Sequence, residues 1–196
     1  RYDLQRTLRT GGNRLLADYC LQNDDSERLD WAWAQHPLLA VDERTRLVLP
    51  APAPVRVGSA FADGTPSSDI GWLSPSGKLA RETELTGARG HAAKIWFEAP
   101  HPTSIGVLHG EEWLLWRTVD APDLGVWINL SGWGPQPLAH LAIEPAFGSS
   151  DDPEIAYAQS SSAGGWSLPG GARRSWRVTI EAGRGRDALA TAMASG

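Results

Sequence analysis

A single cysteine, Cys20, stands among 196 residues, so the chain can form no internal disulfide and no thiolate zinc site. One lone thiol fits a reducing compartment, and a cytoplasmic location is the expectation. Uninterrupted apolar runs are short, "WLLW" at 113–116 being typical, and none could cross a bilayer as a helix. Basic surface is scarce too: the net charge is −5, and the local cluster of Arg173, Arg174 and Arg177 is no phosphate-tracking stripe. Neither nucleic acid nor a membrane is expected as a partner, and oligomeric state leaves no mark in the sequence.

Metal and nucleophile signatures are also missing. The five histidines, His36, His91, His101, His109 and His140, are not spaced to share a strand face or a helical turn. The acidic pairs in "DDSE" and "DDPE" lack the alternation of a calcium loop. "GWLSPSG" is not a nucleophile elbow, and "GARGH" follows no strand-to-helix pattern that would cradle phosphate. No metal and no cofactor is expected.

What the chain does have is tryptophan and turn residues. Ten Trp against three Phe and three Tyr invert the usual aromatic preference, while 21 Gly and 14 Pro punctuate the sequence into short segments. "LQRTLRT", a "GGN" turn and "RLLADYCLQN" read as a β-hairpin. "LDWAWAQHPLL" reads as a buried strand running into a loop at His36-Pro37, and "RLVLP" and "VRV" as short strands joined by a stiff "APAP". Residues 59–90 read as loop-rich. "AKIWFEA", "SIGVLHG", "EEWLLWRTV", "LGVWINL", "LAIEPAF", "EIAYAQS" and "RRSWRVTIEA" follow, each apolar, β-branched or aromatic, and bounded by turns. Strands at this spacing without amphipathic helices between them predict an all-β antiparallel sandwich or barrel. Residues 1–182 are read as one domain and 183–196 as a polar, Ala-rich tail with a short helical segment, "RDALATAMA", of little consequence. The opening "RYDLQRTLRT" is already in strand register without a Met, so the domain is read as N-terminally incomplete, with any signal peptide upstream.

Two X-Pro pairs carry the chemistry: His36-Pro37 and Glu144-Pro145. The residue before proline is held in extended backbone, so each side chain should stand off a rigid strand end. Glu144 follows Leu141, Ala142 and Ile143, where burial would raise its pKa and make it a better base near neutral pH. Singly, each is an ordinary loop or rim residue. Converging from separate strands, an imidazole and a carboxylate form a general acid and a general base.

Taken in order, these segments resemble the galactose mutarotase-like family, the aldose 1-epimerases and their relatives. "DYCLQNDDSERLDWAWAQHPLLAV" is similar to the family segment in which a strand ends in Asn and the next delivers a histidine before a hydrophobic run. "LGVWINLSGWG" with "LAIEPAFGSSDDPEIA" resembles the segment carrying the catalytic glutamate, then Pro and a polar loop, and "GGWSLPGGARRSWRVTIEA" the terminal strands. The resemblance runs from residue 2 to 182. It implies a large antiparallel supersandwich with a sugar cleft and mutarotation of a hexose as the activity. Glu144 would take the C1 hydroxyl proton and His36 would give one to the ring oxygen, across a sugar-sized hollow lined by indoles. Trp33 and Trp127 are the candidate wall, Asp63 or Asp69 the candidate substrate-gripping carboxylate, and Trp176 is assigned to the core. A second histidine and an arginine of the family pattern would fall before residue 1. The competing readings are a noncatalytic carbohydrate-binding sandwich and an accessory domain of a polysaccharide lyase or hydrolase.

Overall fold

In the computed structural model the described residues are 1–68, 70, 77–85, 89–134, 138–152, 154–155 and 166–195. The hairpin forms as expected: β1 (Tyr2–Gly11) pairs with β2 (Arg14–Asn23) from Tyr2↔Asn23 to Gly11↔Arg14. Three short strands come next, β3 (Leu29–Asp30), β4 (Trp33–Ala34) and β5 (Leu38–Ala40). The middle of the chain holds β6 (Thr45–Val48), β7 (Ala53–Ala62), β8 (Thr65–Pro66), β9 (Lys78–Leu79) and β10 (Glu82–Glu84). Longer strands follow: β11 (His91–Phe97), β12 (Ser104–His109), β13 (Glu112–Arg117), β14 (Asp123–Leu130) and β15 (Ala139–Phe147). β16 (Ser167–Leu168), β17 (Arg173–Arg184) and helix α1 (Arg186–Ala194) close the chain.

Two antiparallel sheets face each other. One has seven strands in the order β1-β2-β17-β13-β12-β6-β10; the other runs β4-β15-β14-β11-β7-β8, with β5 added on β15 and β9 on β7. Strict alternation builds the core. Along β14, Leu124, Val126, Ile128 and Leu130 point between the sheets, and along β15 Leu141, Ile143 and Phe147 do the same. They meet Leu47, Ile105, Trp116, Trp176 and Val178 from the facing sheet, all buried. Trp176 is core, as expected.

The segment expected to be one buried strand, "LDWAWAQHPLL", is instead three pieces, half-buried or exposed. The register explains the break. β4 and β5 lie against β15 in one continuous register, Trp33↔Phe147 and Ala34↔Ala146 in β4, Leu38↔Ala142 to Ala40↔His140 in β5. Carried through the gap, it sets Gln35 opposite Pro145, His36 opposite Glu144 and Pro37 opposite Ile143. The Gln35 N–H donates to the Pro145 carbonyl and the Val41 N–H to the Ala139 carbonyl, each at 3.1 Å, so the odd-numbered positions are the hydrogen-bonded ones. Pro37 and Pro145 both occupy such positions and have no N–H to give. The ladder opens there, between the edge segment that carries Pro37 and its neighbour β15.

Glu144-Pro145 also differs from expectation, lying inside β15 rather than at a strand end. Of "EIAYAQS", only Glu154 and Ile155 fall within the described residues, and they are helical. The helical tail packs onto the outer face of the seven-stranded sheet: Leu189 is 2% exposed and covers Gly106, with Leu108, Trp113 and Leu115 around it. All ten residues of the edge strand β1 are exposed.

Candidate active site

The outer face of the eight-stranded sheet is lined by the residues that alternate with the core. Lys94 and Trp96 on β11 stand opposite Trp127 and Gly125 on β14, and Gly125 in turn stands opposite Glu144 on β15. Although these side chains point away from the core, Lys94, Trp96 and Glu144 are all at most 2% exposed. Gly125 is what lets Trp96 lie flat here, because a Cβ at that position would come within 2.9 Å of the indole ring. The connection after β15 folds back over the face, its Gly148 N–H donating to Asp123 at 2.9 Å and its Ser149 carbonyl accepting from Arg56 at 2.6 Å.

His36 and Glu144 meet as the register dictates, with Nδ1 3.1 Å from Oε1. A cross-strand pair at a non-hydrogen-bonded position brings its side chains close, and the broken ladder frees the imidazole to lean over the carboxylate. Their exposures contrast: the Glu144 side chain is 1% exposed and that of His36 56%. The other oxygen, Oε2, is held by the Lys94 ammonium. Lys94 also reaches Asp151 Oδ1 at 3.2 Å and lies 4.8 Å from the centre of the Trp96 ring. A buried carboxylate and a buried ammonium thus compensate each other, which neither could do without alone.

The pair's protonation follows from this setting. Burial, and then the Lys94 charge, holds the His36 imidazole below its usual range, with Asp151 acting the other way. Burial likewise lowers Lys94, against the pull of Asp151. With Nδ1 turned to a carboxylate oxygen, Nε2 is the ring nitrogen left for a ligand.

The expected site residues divide. His36, Glu144 and Trp127 share one face. Trp127 donates from Nε1 to His140 Nε2 at 3.1 Å and packs against Phe61 and the half-exposed Trp133 at centroid distances of 6.5 and 5.8 Å. Trp33 does not belong with them. It pairs with Phe147 on the core side and packs against Tyr19, Trp176 and Phe147 at 4.7, 5.0 and 6.2 Å, because strand alternation turns it to the face opposite Glu144. Asp63 is exposed in the β7–β8 turn at a positive φ of 47°, its N–H donating to the Gly90 carbonyl. Asp69 lies outside the described residues. The expected hollow between imidazole and carboxylate is also corrected, since at 3.1 Å the two are in direct contact and no hemiacetal fits between them.

Lys94, Trp96 and Asp151 escaped the sequence reading. A signal for Lys94 was present: it is one of two lysines in the chain and sits inside "HAAKIWF", a run apolar on both faces, where a cation must be paired. Asp151, in a polar loop, gave none. Among the described residues no three of His, Cys, Asp and Glu converge as metal ligands would. A separate cavity of about 560 Å³, lined by Leu39, Val107, Trp113 and Leu114, contains none of His36, Lys94 or Glu144.

The fold has close counterparts. A galactose mutarotase-like protein from Lactobacillus casei matches with a TM-score of 0.64 at 19% identity, over 93% of this chain and 63% of its own. A Klebsiella pneumoniae protein described as a candidate aldose 1-epimerase matches with 0.67 at 15% identity, over 99% of this chain and 50% of its own. A galactose mutarotase related enzyme from Lactobacillus acidophilus matches with 0.60 at 15%, over 95% and 63%. This chain therefore spans between half and two thirds of the length of these structures. At such identities the likeness is one of fold: a galactose mutarotase-like sandwich. No protein-family model and no curated protein matches the sequence.

Proposed function

We propose that this chain belongs to the galactose mutarotase-like proteins and acts as an aldose 1-epimerase, interconverting the α and β anomers of a hexose. The observation that carries the reading is the His36–Glu144 pair: a fully buried carboxylate capped by a half-exposed imidazole, on the face of a mutarotase-like sheet that also presents Trp127. The sugar's C1 hydroxyl takes the place at Glu144 Oε1 that His36 Nδ1 now holds, and the imidazole swings aside. Glu144 accepts the hydroxyl proton, the C1=O bond forms as C1–O5 breaks, and protonated His36 delivers its proton to O5. Rotation about C1–C2 and closure with the transfers reversed yield the other anomer. The protons balance within the pair, so the cycle consumes no cofactor. Trp127 offers its apolar ring to a C–H face of the sugar.

One observation favours a second reading, a noncatalytic sugar-binding face: both oxygens of Glu144 already have partners, while Trp133 stands 51% exposed beside Trp127. Calorimetric titration with hexoses, run beside exchange NMR of the anomeric protons, separates the two. Binding with accelerated exchange supports the epimerase; binding with exchange at the uncatalysed rate supports the module.

A further inference from the structure

Lys94 is the buried charged group that this cycle leaves unused. It is fixed from three sides: Glu144 Oε2 on one strand, Asp151 Oδ1 on the returning connection, and the Trp96 ring beneath. Such a cation is not needed to build a sheet, since an apolar residue of similar volume in place of a buried pair is often neutral or stabilising. The contacts do, however, have two consequences for the pair. With Oε2 occupied, Glu144 has only Oε1 to present. With a positive charge at that distance, every proton-bearing group around it is biased toward its less positive form.

We propose that Lys94 is a positioning residue that holds Glu144 by one oxygen and sets the pH range over which the Glu144–His36 pair works. The inference rests on the reading of that pair as the proton-handling site. The groups facing Lys94 can be enumerated. β15 brings Glu144 and, farther along, His140; the connection after β15 brings Asp151; the β4–β5 link brings His36. β7 places Ser59 directly opposite and Arg56 two positions away, and β14 places Trp127 opposite, with Asp123 at its end. Of these, Glu144 and Asp151 touch the ammonium, and the Lys94 charge is among the causes that lower His36.

The test is a titration of His36 by NMR in the wild type and in K94M, with circular dichroism as the check on folding. Removing the ammonium should raise the His36 midpoint. Both limbs of the pH–rate profile should move the same way, since the base loses a charge that favours its ionised form and the acid loses one that opposes its protonation. Loss of packing alone would lower the rate without moving the limbs. Should K94M fail to fold, E144Q is compared with the K94M/E144Q double variant, in which no uncompensated carboxylate is buried; the His36 midpoint should again rise on loss of Lys94. A midpoint that stays put in the folded variant overturns the proposal. A wild type that accelerates no anomer exchange would overturn the epimerase reading instead, and the NMR comparison would still decide whether Lys94 governs the pair.

Discussion

Trp33 and Trp127 lie on opposite faces of the eight-stranded sheet, the first against Phe147 and Trp176 in the core, the second beside Lys94 and one position-pair away from Glu144. Replacing them should therefore have opposite signatures. Trp33→Ala should cost about 2 kcal/mol or more of stability, as expected for removing a packed aromatic, with sugar affinity unchanged. Trp127→Ala should weaken sugar binding and change stability less. Denaturant melts and calorimetric titration of both variants check this, and a Trp33→Ala protein that folds normally but loses sugar would contradict the assignment of faces.

Glu144→Gln keeps the shape of the side chain while removing the proposed base. Catalysed exchange should fall by about 10²–10⁴-fold, the usual worth of a positioned proton carrier. His36→Asn should slow exchange on a similar scale while sugar still binds, because His36 is the exposed partner of the pair. Anomeric exchange rates and binding isotherms on both variants provide the check; full turnover in either removes that residue from the mechanism.

The pH dependence has a definite sign. As the proposed acid, His36 would donate only when it carries its second proton, and burial with the Lys94 charge lowers its pKa. The protonated fraction therefore falls as pH rises through a value below the ordinary 6.5 of imidazole. The alkaline limb of the rate should lie below that value, and a His36 NMR titration should give the same midpoint. A limb above 7 would mean that the acid is another group.

Gly125→Ala should disturb the site through Trp96, from the position opposite Glu144. Its Cβ would press on the face of Trp96 at 2.9 Å, displacing the ring under Lys94 and, through it, Glu144. Overpacking of this kind typically costs about 1–3 kcal/mol. Thermal melts should show that loss together with slower exchange; an unchanged protein would mean that Trp96 is not held by this close approach.

Much of the architecture could be read from the chain, and the reasons are local. Apolar, β-branched and aromatic runs bounded by turn residues, such as "LGVWINL" and "LAIEPAF", read as strands, and the Gly-Gly-Asn turn read as the hairpin. That His36 and Glu144 would face each other was what the family resemblance implied, across a hollow and not in contact; the cause of their contact, one shared register interrupted by two prolines at hydrogen-bonding positions, was not visible in the sequence. Trp33 falls on the other face for a simpler reason that the sequence did carry: it stands three residues from His36 on one extended segment, and an odd separation alternates to the opposite side of the sheet. Lys94 and Asp151 converge only through tertiary structure, from a central strand and a connection that no local pattern links.

Polarimetry of freshly dissolved α-D-glucose and α-D-galactose with the wild-type protein and with E144Q tests the central claim most directly. The account predicts that the wild type shortens the approach to equilibrium rotation for at least one of these sugars and that E144Q leaves it at the buffer rate. Equal acceleration by both proteins, or none by either, would contradict it.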